Sequence, residues 1–221
     1  ESLMDEYESL GFKKIFIVPN GMEDYSLNFK SNRENGFTIT YLSNFIREKG
    51  VLEVIQTLKF LNNENYYFTF NLIGNEGDVS NEEIICELEK NGLVSKMNHF
   101  GPAYGDEKFK LLSNSNLFVF PTYYKSECYP LVLIEALQFG IPVISSNEGA
   151  ISDIIKDGEN GFIIDPKNIE HIAEKIKLVY NDINLQKTMQ LAARETYLDK
   201  NRIDKFENGL NNVISNITEV Y

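Results

Sequence analysis

A buried strand running straight into a buried helix needs cover on every side, and residues 116–140 carry that pattern. Asn116-Leu-Phe-Val-Phe-Pro121 is short, apolar, aromatic and β-branched, which predicts a covered strand. After a loop, Pro130 stands where the first helical residue belongs, Gly140 follows the last one, and Pro142 lies beyond. The intervening helix, 130–139, is apolar on almost every side, and such a helix is buried. The same alternation recurs along the chain. Strands are predicted at 37–42, 67–73, 98–100, 116–120, 142–145 and 161–164. Helices are predicted at 51–61, 82–91, 106–113, 130–139 and 150–156, then at 168–181, 184–198 and 203–218. Strands alternating with helices predict parallel pairing, hence an α/β fold with a doubly wound parallel sheet of about six strands and extra C-terminal helices.

Ahead of that core, residues 1–10 are acidic and partly helical in pattern. Residues 14–18 predict a strand closed by the turn Pro19-Asn20-Gly21, and 22–36 predict a polar loop. With 43% hydrophobic content in 221 residues, and no repeat or linker, one domain is expected over 1–221. It divides into a lead-in at 1–36, the core at 37–165 and the C-terminal helices at 166–221.

Ligands of doubly wound sheets bind beyond the C-terminal strand ends. Ser43-Asn44, Gly74-Asn75, Gly101-Pro102, 121–127 and 146–149 all follow predicted strands and converge on one rim. At the mouth of helix 130–139 the N–H groups of Tyr129, Leu131 and Val132 have no partner inside the helix, and the dipole favours an anion. Phosphate is the ordinary ligand of such a place. Glu127 and Glu135 bracket this mouth, and a buried carboxylate is costly unless paired. Both acids would repel a phosphate at contact, so they are expected to accept hydrogen bonds from hydroxyls on either side of it. That chemistry points to a sugar nucleotide. The bland alternatives are an exposed loop acid for Glu127, a structural ion pair for Glu135 and a solvated charge for Lys49. The apolar surroundings of Glu135 favour function.

A net charge of -12 argues against nucleic acid and against a broad electrostatic grip on an anionic membrane. No apolar run approaches the roughly 18–20 residues of a transmembrane segment. Cys86 and Cys128 lack zinc spacing, which suits a reduced, cytoplasmic setting, and Cys128 is expected simply to pack. His99 and His171 have neither metal spacing nor triad partners, and Asp-x-Asp, GxGxxG and Walker A patterns are all missing. No metal site is expected.

Glu127-Cys-Tyr-Pro-Leu-Val-Leu-Ile-Glu135 resembles the Glu-x7-Glu motif of retaining GT-B-fold glycosyltransferases of group 1, family 4. Four further segments resemble the same family in the right order: Val18-Pro-Asn-Gly21, Lys49-Gly50, Leu72-Ile-Gly74 and Asp157-Gly-Glu-Asn-Gly-Phe-Ile163. The resemblance implies the Rossmann-like C-terminal, donor-binding half of an enzyme whose N-terminal acceptor domain is absent. The last helix would cross back onto that domain. The implied substrate is an NDP-sugar, UDP- or GDP-linked, with no cofactor. The full reaction would pass a sugar, with retention, to a saccharide or lipid-linked acceptor in polysaccharide biosynthesis, and the isolated half would transfer little or nothing. A peripheral place at the inner membrane, through the missing domain, is compatible with this.

By the same resemblance Lys49 neutralises the departing nucleoside diphosphate and Glu127 holds donor-sugar hydroxyls, which makes them the catalytic pair. Glu135 takes the ribose hydroxyls, and Tyr129, Pro130, Leu131 and Val132 form the segment that offers backbone donors. Gly74, Pro102 and Tyr104 surround the base. The chain departs from its relatives in two places. Ser43-Asn44 replaces Gly-Arg, so Asn44 brings a donor without charge, and Cys128-Tyr129-Pro130 replaces Gly-Phe-Gly, leaving less room beside the sugar. A same-fold sugar-nucleotide 2-epimerase and a non-catalytic nucleotide-sugar-binding or assembly module remain open alternatives.

Overall fold

The computed structural model describes residues 8, 10, 11, 15–33 and 36–218. Among these residues are six strands and eight α-helices, alternating up to α6: β1 (Thr38–Leu42), α1 (Val51–Asn63), β2 (Thr69–Ile73), α2 (Asn81–Lys90), β3 (Met97–Gly101), α3 (Gly105–Ser113), β4 (Leu117–Phe120) and α4 (Leu131–Gln138) come first. Then follow β5 (Val143–Ser145), α5 (Ile151–Ile154), β6 (Gly161–Ile163), α6 (Ile169–Asn181), α7 (Ile183–Thr196) and α8 (Ile203–Thr218). All pairings are parallel, in the order β3-β2-β1-β4-β5-β6. The order reverses between β1 and β4, so the loops leaving those two strands diverge and open a crevice there.

Strand sequences explain the layering. Every residue of β4 is buried, as a strand covered on both faces requires. Tyr41, Leu72, Phe118 and Val119 are fully enclosed. A polar thread crosses this core without being orphaned. Asn98 donates to Asn71 at 2.9 Å, Asn71 to Thr40 at 2.8 Å, and the Thr40 and Ser115 hydroxyls meet at 2.6 Å.

The predicted strand at 14–18 does not form over residues 15–18, and Lys14, like residues 1–7, lies outside the described residues. The stretch has strand-like residues but no sheet edge beside it. Instead its last residue meets α8, where a Cβ on Gly209 would fall 2.8 Å from Val18 Cγ1. The polar loop that follows holds a short 3-10 turn, Ser26–Asn28. Helix 150–156 shortens to four residues, and α7 stops at Thr196 in a π turn, Tyr197–Asn201. That turn stitches the lead-in to the C-terminal helices. Met22 N donates to Asn201 O at 2.9 Å, and Tyr197 Oη to Met22 O at 2.9 Å.

Candidate functional site

The rim is built by two loops locked together through glycine. Gly50, at φ +82, closes the β1–α1 loop, and a Cβ there would lie 2.3 Å from Pro121 O. The loop therefore packs directly onto the one leaving β4, where Tyr123 N donates to Glu48 O at 2.7 Å. Gly149, at φ +56, repeats the device from β5, since its Cβ would meet Glu127 O at 2.1 Å. Next to it Ala150 N donates to Cys128 O at 2.7 Å. Lys49 and Glu127 are thereby fixed on facing backbones.

Lys49 Nζ stands 2.5 Å from Glu127 Oε2 and 4.7 Å from the centroid of the Tyr124 ring. Only 8% of the Glu127 side chain and 16% of the Lys49 side chain is exposed. Glu127 is thus no exposed loop acid. Cys128 beside it is exposed rather than packed, as is Cys86.

Pro130 is the cap residue of α4 and not its first helical residue, because its ψ of 118° is extended. Its carbonyl accepts from Leu133 N at 3.2 Å, and no side chain caps this end. The helix is less enclosed than its composition predicts, for Leu131 is 51% exposed. Its mouth opens on a cavity of about 350 Å³. Asn44, Gly74, Pro102, Tyr104, Leu131, Val132 and Glu135 all line it, joined by Asn75 and Lys108. Lys49, Glu127, Tyr129 and Pro130 do not. Pro130 is buried, and the Tyr129 ring turns toward the C-terminal helices, its hydroxyl accepting from Asn201 at 2.8 Å. Burial raises the Tyr129 pKa, and the Asn201 bond opposes the shift.

Two contacts at this cavity escape a reading of the sequence. Lys108 Nζ lies 2.5 Å from Glu135 Oε1, so Glu135 both lines the cavity and makes the ion pair that was its alternative. The demand of a half-buried acid for a cation was the available signal, but only the packing of α3 beside α4 selects Lys108 over Lys110. At the outer edge the Tyr104 hydroxyl lies 2.8 Å from Asn75 Nδ2 and 3.1 Å from Asn75 Oδ1, which pins an otherwise exposed ring. Tyr41 supports the β1 loop, donating to Asn44 O at 3.4 Å, and burial pushes its phenol far above the ordinary value. Among the described residues no cluster of three or more His, Cys, Asp or Glu could hold a metal, and no helix is long and apolar enough to cross a membrane.

A six-stranded parallel sheet with its helix mouth and acids at the switch point defines an α/β domain of the Rossmann-like kind. The family described as "Glycosyl transferases group 1" matches residues 25–196, and the chain belongs to it. The capsular polysaccharide biosynthesis glycosyltransferase CapM of Staphylococcus aureus is 29% identical over 178 residues, covering 80% of this chain and 45% of CapM. The chain thus spans about half the length of this relative. Anabaena HepE, solved in complex with UDP, superposes with TM-score 0.79 at 18% identity, over 90% of this chain and 57% of HepE. The C-terminal domain of the group 1 protein LpcC from Francisella tularensis gives TM-score 0.68 at 20% identity, over 84% of this chain and 96% of that domain. The chain therefore has the fold of a C-terminal GT-B half.

Proposed function

We propose that this chain is the donor-binding half of a retaining glycosyltransferase that draws a hexosyl group from a UDP-sugar. A saccharide or lipid-linked acceptor would be presented by an N-terminal domain. The observation that carries this reading is the cavity at the mouth of α4, with the Lys108–Glu135 pair at its wall and the Lys49–Glu127 pair joining the loops that leave β1 and β4. The diphosphate lies at the Leu131 and Val132 N–H groups, within reach of Lys49. The ribose diol donates to Glu135, whose remaining lone pairs are free beside Lys108. The base lies between Gly74 and the Pro102–Tyr104 edge, and the sugar turns toward Glu127. Lys49 and the helix dipole stabilise charge that grows on the diphosphate as the glycosidic bond breaks, which is where binding energy accelerates the step. HepE, described with bound UDP, supports the choice of nucleotide, and CapM supports a place in polysaccharide assembly.

Calorimetric titration with UDP, GDP and UDP-glucose, with Glu135→Ala as control, tests the reading. UDP and UDP-glucose are expected to bind and the variant to lose at least about tenfold in affinity. If neither nucleotide class binds at millimolar concentration, the donor-site reading is wrong.

A further inference from the structure

The Lys49–Glu127 pair sets a problem for any ligand. Glu127 is 9% exposed overall, and Lys49 is the cation that meets its carboxylate. The neighbouring cations are otherwise engaged, Arg47 by Glu83 at 3.0 Å and Lys125 by Glu148 at 3.6 Å. An anion at the helix mouth competes with Glu127 for the same ammonium, and a buried carboxylate deprived of its cation is strongly disfavoured.

We propose that donor recognition at this site is a partner exchange: the diphosphate draws Lys49 away from Glu127, and the hydroxyls of the attached sugar take its place on the carboxylate. This rests on the donor-site reading given above and adds to it a source of selectivity. A sugar nucleotide satisfies both members of the pair. A bare nucleoside diphosphate satisfies Lys49 and strands Glu127. The site therefore discriminates against its own nucleotide product, and re-formation of the pair helps to expel it once the sugar has gone. The second pair, Lys108–Glu135, needs no such exchange, since the ribose hydroxyls it meets are neutral and do not compete with the carboxylate for the lysine. Glu127 and Lys49 thus act as a specificity pair for the intact donor.

The test uses the full chain with UDP and UDP-glucose as probes. Wild type is expected to bind UDP-glucose more tightly than UDP. Glu127→Gln, which frees Lys49, is expected to tighten UDP about tenfold, as it must when the competent form is populated in about one molecule in ten, and to abolish the preference. Glu135→Gln removes a charge from the same cavity but is expected to weaken both ligands, which separates partner exchange from general relief of negative charge. A UDP complex should show Lys49 Nζ withdrawn from Glu127. If UDP binds but Glu127→Gln leaves it unchanged or weaker, or if the UDP complex keeps the pair intact, the exchange is overturned while the donor site stands. If wild type binds neither ligand, both readings fall. Thermal melting of each variant guards against misfolding, and the crystallographic outcome decides the matter without any variant.

Discussion

The two ends of α4 are held by different chemistry. At its C-terminal end the Arg33 guanidinium donates to Ser113 O at 3.2 Å, Gly140 O at 3.1 Å and Phe139 O at 2.6 Å. Arg194 Nη1 donates both to Gln138 O at 2.6 Å and to Asp24 Oδ1 at 3.1 Å, while its Nη2 pairs with Asp24 Oδ2. Those acceptors are carbonyls at and just past the ends of α3 and α4, which lack partners within their own helices and attract cations. Burial lowers the Arg33 pKa to about 10, the cost of keeping a cation away from water. At the N-terminal side the backbone is held by the Gly149–Ala150 turn, but the cations there meet side chains and not carbonyls, in the pairs Lys49–Glu127 and Lys108–Glu135. A ligand can compete for a side chain, but it cannot remove a backbone carbonyl. The helix is therefore anchored at one end and offers exchangeable contacts at the other. Size alone does not mark the site, since a larger crevice of about 480 Å³ lies at the anchored end, beside Arg33.

Substituting Arg33 by Met should break the anchored end with the largest effect. Three charge-assisted hydrogen bonds vanish, and a loss of about 3 kcal/mol in unfolding free energy is expected in urea titrations, with UDP affinity of the folded protein changed less than about twofold. Equal losses in stability and affinity would show that the two ends are not distinct. Lys49→Met attacks the other end. It should weaken UDP by about 2 kcal/mol, roughly thirtyfold, in calorimetry. Lys108→Met should act more gently: Glu135 loses its cation but remains open to solvent and to ribose, and UDP is expected to weaken about threefold. An effect as large as that of Lys49→Met would mean that Lys108 itself touches the diphosphate.

Much of the fold was legible because several strands are apolar runs closed by a glycine or a proline. Leu72-Ile-Gly74 and Val119-Phe120-Pro121 are examples, and the helices between such runs impose parallel pairing. What was not legible depends on neighbours distant in sequence. The run at 15–18 reads like the others, but it meets α8 and not a sheet edge. Pro130 has the φ that suits either the cap or the first turn, and only its ψ, set by the loop that delivers it, decides. The site residues were found one at a time, by type and by motif. Their pairings were not, because Lys49 and Glu127 are 78 positions apart and Lys108 and Glu135 are 27 apart. A charge pattern read along the chain treats each lysine as solvated, whereas the sheet brings each one to an acid.

The smallest expected effect is at the anchored end, where Tyr197 is fully enclosed with its ring 5.2 Å from the Arg194 guanidinium. Burial, aided by the charge of Asp24, raises its pKa to about 12. A phenol is neutral when protonated, so the folded state holds this proton more tightly than the unfolded chain, whose tyrosines titrate near 10. The stabilisation is therefore complete below about pH 10 and is lost as pH rises through about 12. Tyr197→Phe removes that dependence. Near neutral pH it costs only the bond to Met22 O, a carbonyl that still accepts from Ile203 N at 3.1 Å, so a loss of about 0.5 kcal/mol is expected. Between pH 10 and 11.5 the wild-type curve should fall to that of the variant and pass below it, since the other phenols that burial raises, Tyr41 and Tyr129 among them, are common to both. Urea titrations across this range measure it, and parallel curves would mean that the Tyr197 hydroxyl is reached by water and that this end of α4 is less firmly sealed than its contacts indicate.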